Sequence, residues 1–205
     1  MTKYLLEFRL SGLARRYLKN LVIEVSREFK VTGATSNRVV PHVTLVGPFT
    51  TVHEKRLVRS LLIIGRKYHS VPFTISDFGS FGNWLTGRRV LFARIEPSAE
   101  LNALHSDLLE GLKPFCNLNK TDSMKFEPHA TIAFKDIDNK FGKIKDFLSK
   151  KNSPTINHHV LRITLLRGNR ILCEYDLFLR RLLSRSEALD RRLLSKTKTA
   201  VRRRA

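Results

Sequence analysis

Two short segments, Pro41-His42-Val43-Thr44-Leu45 and Pro128-His129-Ala130-Thr131-Ile132, each set an imidazole and a hydroxyl two residues apart. On a β-strand residues i and i+2 share a face. His42 with Thr44, and His129 with Thr131, would then face a cleft while Val43, Leu45, Ala130 and Ile132 enter a core. Histidine in peptides titrates near pH 6.5, so one of a pair can act as neutral base while the other acts as protonated acid. The base would deprotonate water or a ribose hydroxyl, and the acid, across phosphorus, would protonate the leaving alkoxide. Thr44 and Thr131 would donate to the non-bridging oxygens as charge builds on them. This chemistry suits a phosphate ester and calls for no metal or other cofactor. Glu54 and Glu127 complete no recognisable metal-ligand spacing with the histidines.

With 7 His and 14 Thr in 205 residues, chance supplies about half of one His-x-Thr. Two copies, both after proline and both flanked by apolar residues, are more than composition explains, although two ordinary strand histidines are the plain alternative. The elements around them repeat. A strand at 4–10, a helix at 11–29, a strand at 39–49 and a helix at 53–68 are matched by a strand at 90–95, a helix at 98–112, a strand at 125–135 and a helix near 138–150. Ser98 is placed to cap its helix, and Leu13, Tyr17, Leu18, Leu21 and Val25 line one face of the first helix. The motifs are 87 residues apart and the leading strands about 86. The predicted fold is therefore α+β and bilobal: two mostly antiparallel sheets backed by helices, with a cleft between duplicated lobes. Residues 72–81 alternate like a further strand of the first sheet. A hairpin of 160–166 and 171–179 around Gly168-Asn169 would extend a sheet and end the domain near Leu179.

On these residues the chain resembles the two-histidine (2H) phosphoesterase superfamily, in particular its 2′-5′ RNA ligase-like and RNA 2′,3′-cyclic phosphodiesterase members. Their defining pattern is a pair of H-x-[ST]-x motifs, here His42-Val43-Thr44-Leu45 and His129-Ala130-Thr131-Ile132. Phe78-Gly79-Ser80-Phe81 and Arg89-Val90-Leu91-Phe92 are also similar to family segments, and the resemblance covers residues 3–179. It implies opening of a ribonucleoside 2′,3′-cyclic phosphate to a 2′-phosphate, with His42 as general acid and His129 as general base by loose analogy. The run Pro41 to Phe49 is closer to the broad branch of the family than to its RNA enzymes, and the segment after Leu179 lies outside the pattern.

Weaker candidates surround the motifs. Phe81, Trp84, Arg88 and Arg89 occupy a Gly-rich loop that could stack a base and contact phosphate, or simply pack. His53, His69, His105, His158 and His159 lack the motif context and are expected at the surface or at caps. Cys116 and Cys173 form no C-x-x-C pair and are expected as half-buried thiols. The 38 Lys+Arg against 18 Asp+Glu give +20 and a pI of about 10.6, which favours a polyanionic partner such as RNA or a nucleotide. Residues 180–205 alone carry +8, with Leu182, Leu183, Leu189, Leu193 and Leu194 near helical spacing. They read as a basic amphipathic helical tail that either docks by its leucines or reaches for RNA. No apolar run approaches the roughly 20 residues of a membrane span, and the N-terminus lacks a secretory signal. A cytoplasmic monomer is expected. Two other functions fit the sequence: an RNA-binding module without turnover, and hydrolysis of another small phosphoester such as a 2′-5′ oligonucleotide.

Overall fold

The structure, a computed structural model, describes residues 2–35, 39–83, 88–119, 126–151 and 154–202. Its elements are β1 (Lys3–Arg9), α1 (Gly12–Phe29), β2 (His42–Thr50), α2 (Glu54–Gly65), β3 (Pro72–Asn83), β4 (Arg88–Pro97), α3 (Ala99–Leu112), β5 (His129–Phe134), a 3-10 turn (Asp138–Lys140) leading into α4 (Phe141–Ser149), β6 (Ile156–His159), β7 (Arg162–Arg167), β8 (Arg170–Asp176), β9 (Arg181–Ser184), α5 (Arg185–Leu189) and α6 (Arg191–Arg202). The order β1-α1-β2-α2 recurs as β4-α3-β5-α4. Every strand pairing is antiparallel, in one sheet ordered β2-β1-β7-β8-β9 and another ordered β5-β4-β3-β6. The fold is α+β, as the duplicated pattern requires.

Local chemistry sets the element boundaries. The Ser98 hydroxyl accepts the Leu101 amide at 3.2 Å and starts α3, satisfying one of the donors that a helix start leaves orphaned. In α1 the buried stripe is Ala14, Leu18, Leu21, Val22 and Val25. Leu13, expected on that stripe, is 60% exposed, because the buried arc is centred on the Leu18–Val22 side. Gly168 and Asn169 form the two-residue turn between β7 and β8, with Gly168 at φ 57°, a conformation that costs glycine nothing.

Two expectations are corrected. Residues 72–83 do not join the first sheet. They pair along β4 and β6 in the second, since a short connection favours pairing of consecutive strands; the first sheet instead takes β7 beside β1. Nor does the sheet end at Leu179. The chain continues into β9, which pairs with β8 and buries Leu183 completely, so Leu182 and Leu183 are strand residues and not part of a helical tail. The capping box of Ser184 and Glu187 then opens α5. Backbone and side-chain bonds from Ser184, with the Arg181 guanidinium, pull the Glu187 carboxyl down to about 2.

One continuous core joins the lobes. Phe8 of β1 and Phe73 of β3 meet with ring centroids 5.0 Å apart, so the apolar faces of the two sheets pack on each other. The helices reach across: α1 packs on β5 and β6 of the second sheet, and α3 touches β2 of the first as well as β3 and β4 of the second. The loop after α1 is pinned beyond the end of β5, where Asp136 accepts the amides of Thr32 and Gly33 at 2.6 and 2.9 Å. A Cβ on Gly33 would sit 2.0 Å from the Phe134 carbonyl oxygen, a separation only glycine permits. Cys116 is half-buried and Cys173 buried, both as free thiols. Among the described residues no helix is long and apolar enough to cross a membrane.

The C-terminal helices attach through buried polar groups. Arg162, Glu174 and Asp176 project from β7 and β8 and are nearly or fully buried. Arg162 Nε donates to Asp176 Oδ2 at 2.8 Å, and Nη2 donates to the hydroxyl of the fully buried Thr197 on α6 at 3.2 Å. That hydroxyl lies 2.7 Å from Asp176 Oδ2, and Arg162 Nη1 reaches the Ala188 carbonyl. Burial is the main influence on the Glu174 carboxyl and raises it above the usual range, against the Thr164 hydroxyl and Arg162.

Two measurements check this packing. Thr197→Val leaves Asp176 and Arg162 short of a partner inside the protein and should destabilise it by about 1–3 kcal/mol, read by chemical denaturation. The Thr32 and Gly33 bonds hold the Asp136 carboxyl below its ordinary value. Its stabilisation is then present above the unfolded-chain value of about 3.9 and lost as pH falls through the lower folded one. The melting-temperature gap between wild type and Asp136→Ala should accordingly be full at neutral pH and shrink below about pH 4.

Candidate active site

His42 begins β2 and His129 begins β5, and each strand forms the edge of its sheet. The two edges touch across the lobes. In both, the histidine and threonine are half-buried and the residue between them is buried: Val43 in one, Ala130 in the other. Both strands carry a bulge at the same place. Glu7 pairs with Thr44 but Leu6 with Val46, leaving Leu45 over; Phe92 pairs with Thr131 but Leu91 with Ala133, leaving Ile132 over. The extra residue lets two consecutive side chains enter the core: Leu45 with Val46, and Ile132 with Ala133. The bulges thus twist both edges just beyond the threonines.

The imidazoles are held alike. His42 Nδ1 lies 2.9 Å from the Val40 carbonyl, and His129 Nδ1 lies 2.9 Å from the Glu127 carbonyl. A carbonyl only accepts, so each Nδ1 carries hydrogen and Nε2 is the ring nitrogen left out of that bond. Proline explains the shared geometry. Pro41 and Pro128 keep the preceding residue extended, while their own carbonyls accept the Leu10 and Ile95 amides at 3.0 and 3.2 Å. Among the described residues neither the Thr44 nor the Thr131 hydroxyl has a protein partner, so both can donate to a ligand.

Four further side chains belong here. Arg9 is the register partner of His42, and Arg94 that of His129. Glu7 is 3% exposed; its Oε2 lies 3.7 Å from His42 Nε2 and its Oε1 accepts Arg9 Nε at 3.1 Å. In the second lobe Phe92 takes the place of Glu7. The Phe92 and Phe81 rings stack at 4.2 Å, and both contact the His129 ring, at 5.0 and 4.9 Å. A Cβ on Gly79 would lie 2.6 Å from the Phe92 ring, so that glycine makes room for the aromatic wall. The two histidines thus have unlike neighbours, a carboxylate for one and two aromatic faces for the other. The repeat itself carried the signal for these residues, because Glu7-Phe8-Arg9-Leu10 and Phe92-Ala93-Arg94-Ile95 stand in corresponding places.

The other candidates separate. Phe81 flanks His129. Arg89 points the opposite way, its guanidinium bonded to the Asp138 carbonyl at 3.2 Å and lying 5.1 Å from the Phe141 ring, because alternation along β4 puts it on the face opposite Phe92. Arg88 opens β4 opposite Asn83, and Trp84 lies outside the described residues. Three of the remaining histidines are engaged in packing or hydrogen bonds elsewhere. His105 is buried and stacked on Phe126 at 3.9 Å, contrary to the expected surface position, because it falls on the apolar face of α3. His158 Nε2 takes the Ser11 amide at the start of α1 at 3.3 Å, and His159 pairs with Ser70. Glu54 is engaged by Tyr4 and Arg167. Among the described residues no group of three or more His, Cys, Asp or Glu could hold a metal ion.

Comparison with known proteins gives a consistent assignment. The family model described as the 2′-5′ RNA ligase superfamily matches residues 23–171. Two bacterial relatives with phosphoesterase in their names match as well. One, from Bacillus licheniformis, is 26% identical over 117 residues, 56% of this chain and 64% of its own length. The other, from a Geobacillus species, is 29% identical over 103 residues, 49% and 54%. The matches thus span less than two thirds of either relative. Among solved structures, TT0787 of Thermus thermophilus superposes with a TM-score of 0.59 at 16% identity, covering 86% of this chain and 98% of that one, a likeness of fold.

The geometry makes a prediction independent of any substrate. In long-range proton–nitrogen correlation spectra above the imidazole titration, His42 and His129 should both show the Nδ1–H pattern. An Nε2–H pattern at either would mean that its ring is not held by its strand.

Proposed function

Since the chain belongs to the 2′-5′ RNA ligase superfamily, we propose that it is a metal-independent phosphodiesterase that opens 2′,3′-cyclic phosphates of RNA ends or nucleotides between His42 and His129. One observation carries the reading: two His-x-Thr strands, identical in bulge, burial and Nδ1 hydrogen bond, meet edge to edge from two duplicated lobes. A binding site for phosphate needs donors only. Two imidazoles, each presenting Nε2 from its own side, suit a reaction in which one proton is removed and another delivered.

In the proposed step His129 Nε2 takes a proton from water as its oxygen attacks phosphorus. The bond from phosphorus to the ribose 3′ oxygen breaks, and His42 Nε2 gives its proton to that oxygen, leaving a 2′-phosphate. Thr44 and Thr131 donate to the two non-bridging oxygens. The two rings have unlike neighbours: Glu7 Oε2 lies 3.7 Å from His42 Nε2, whereas the Phe81 and Phe92 rings flank His129. The half-buried Phe81 ring, backed by the buried Phe92 ring, also offers a face on which a base could stack.

His42→Ala and His129→Ala should each lower kcat by about 10²–10⁴-fold with unchanged melting temperature. Phosphorus NMR of a panel of 2′,3′-cyclic mononucleotides, cyclic-ended RNA and 2′-5′ dinucleotides should give a 2′-phosphate from the cyclic substrates, with EDTA leaving the rate intact. Full turnover in either variant, or loss in EDTA restored by a metal, contradicts the proposal. Glu7→Gln should reduce kcat roughly tenfold with little change in KM.

A further inference from the structure

A groove of about 770 Å³ lies on the first sheet beside His42. Its floor is the polar face of β7 and β8, with Thr164 and Glu174, and its roof is formed by the C-terminal helices through Ala188, Leu189, Leu194 and Ser195. One end is made by Arg9, the register partner of His42, and by Val40, whose carbonyl holds the His42 ring. The groove is strongly basic, with Arg9, Arg15, Arg162, Arg170, Arg185 and Arg191 against Glu174 and Asp190.

These charges are not equivalent. Arg162 is buried and consumed by Asp176, Glu174, Thr197 and the Ala188 carbonyl; it clamps the roof to the floor. Arg9 is held by Glu7. The Asp190 carboxylate accepts the Arg192 amide at the start of α6. Arg15, Arg170, Arg185 and Arg191 are exposed and, among the described residues, make no ion pair. Four uncommitted guanidinium groups around one groove repel one another, and a chain of phosphates relieves that repulsion. The volume is that of a small-molecule pocket, far too small for a duplex. Among the described residues no aromatic ring lines it, so it offers charge to a backbone and no platform to a base.

We propose that this groove, completed by α5 and α6, is a second subsite that holds the phosphodiester backbone of a single-stranded RNA whose terminal phosphate lies at His42 and His129. The inference rests on the proposed function for the identity of that terminal phosphate, and it makes an oligonucleotide the preferred substrate over a mononucleotide. The subsite is indifferent to base sequence, and Phe81 contacts the terminal base at the other lobe.

The test uses the full chain and its R170Q/R185Q/R191Q variant. Fluorescence anisotropy measures binding of a 5′-labelled hexanucleotide ending in a 2′-phosphate between 50 and 200 mM salt. Kinetics compare a cyclic-ended hexanucleotide with the matching 2′,3′-cyclic mononucleotide, and thermal melting verifies folding. The wild type should favour the hexanucleotide at least about tenfold in kcat/KM, and the variant should lose most of that preference. Each phosphate contact on a single strand contributes about 0.7 to the slope of log affinity against log salt, so the variant's slope should be shallower by about 2. A folded variant with wild-type hexanucleotide affinity and slope overturns the subsite, even if cyclic phosphates are hydrolysed. Absence of turnover on both substrates, together with the expected loss of binding, would instead refute the proposed function and leave the subsite standing.

Discussion

The hydrogen bond from each imidazole Nδ1 to the carbonyl two residues earlier in its own strand is what the site depends on. It turns a residue type into an instrument, because it fixes the ring and leaves one nitrogen, Nε2, to face outward. That bond needs an extended residue before a proline, a strand edge free of a further partner, and a core residue between His and Thr to anchor the strand. All three conditions are met twice. Pro41 and Pro128 set the backbone, β2 and β5 each end a sheet, and Val43 and Ala130 are buried. The bulges at Leu45 and Ile132 then switch each strand from alternation to two consecutive core side chains, which anchors the edge immediately beyond the threonines.

Duplication gives two equivalent arms, but catalysis by acid and base asks for unlike ones. The difference lies in the neighbouring strand, where the first lobe has Glu7 and the second has Phe92 at the matching place. A single substitution in the register thus surrounds one imidazole with charge and the other with aromatic rings. The shared arginine, Arg9 or Arg94, is kept on both sides, as a polyanionic substrate would require.

Much of this was legible in the sequence, for identifiable reasons. The motif strands and the order of elements show because side-chain period and apolar pattern are local properties, and the Gly168-Asn169 turn because few residues accept its backbone. The allocation of β3 to the second sheet was not legible, since alternation at Phe73 and Ile75 tells which face is buried but not which strand lies alongside. The repeat marks the position of Glu7 but not its burial, which comes from the register with Thr44 and Thr164. Leucine spacing suggested a helix through Leu182 and Leu183, yet pairing with Glu174 and Tyr175 draws them into β9. The folding of the C-terminal segment over the first sheet depends on Arg162 and Thr197, 35 residues apart, a contact no local pattern announces.

The central claim is that both imidazoles serve one phosphorus atom. Crystals of the protein grown with a nucleoside 2′-monophosphate address it most directly. His42 Nε2 and His129 Nε2 should each lie about 3 Å from oxygens of the same phosphate, with Thr44 and Thr131 bonded to that group as well. A phosphate seated against one histidine alone, with the other ring turned away from it, would contradict the account.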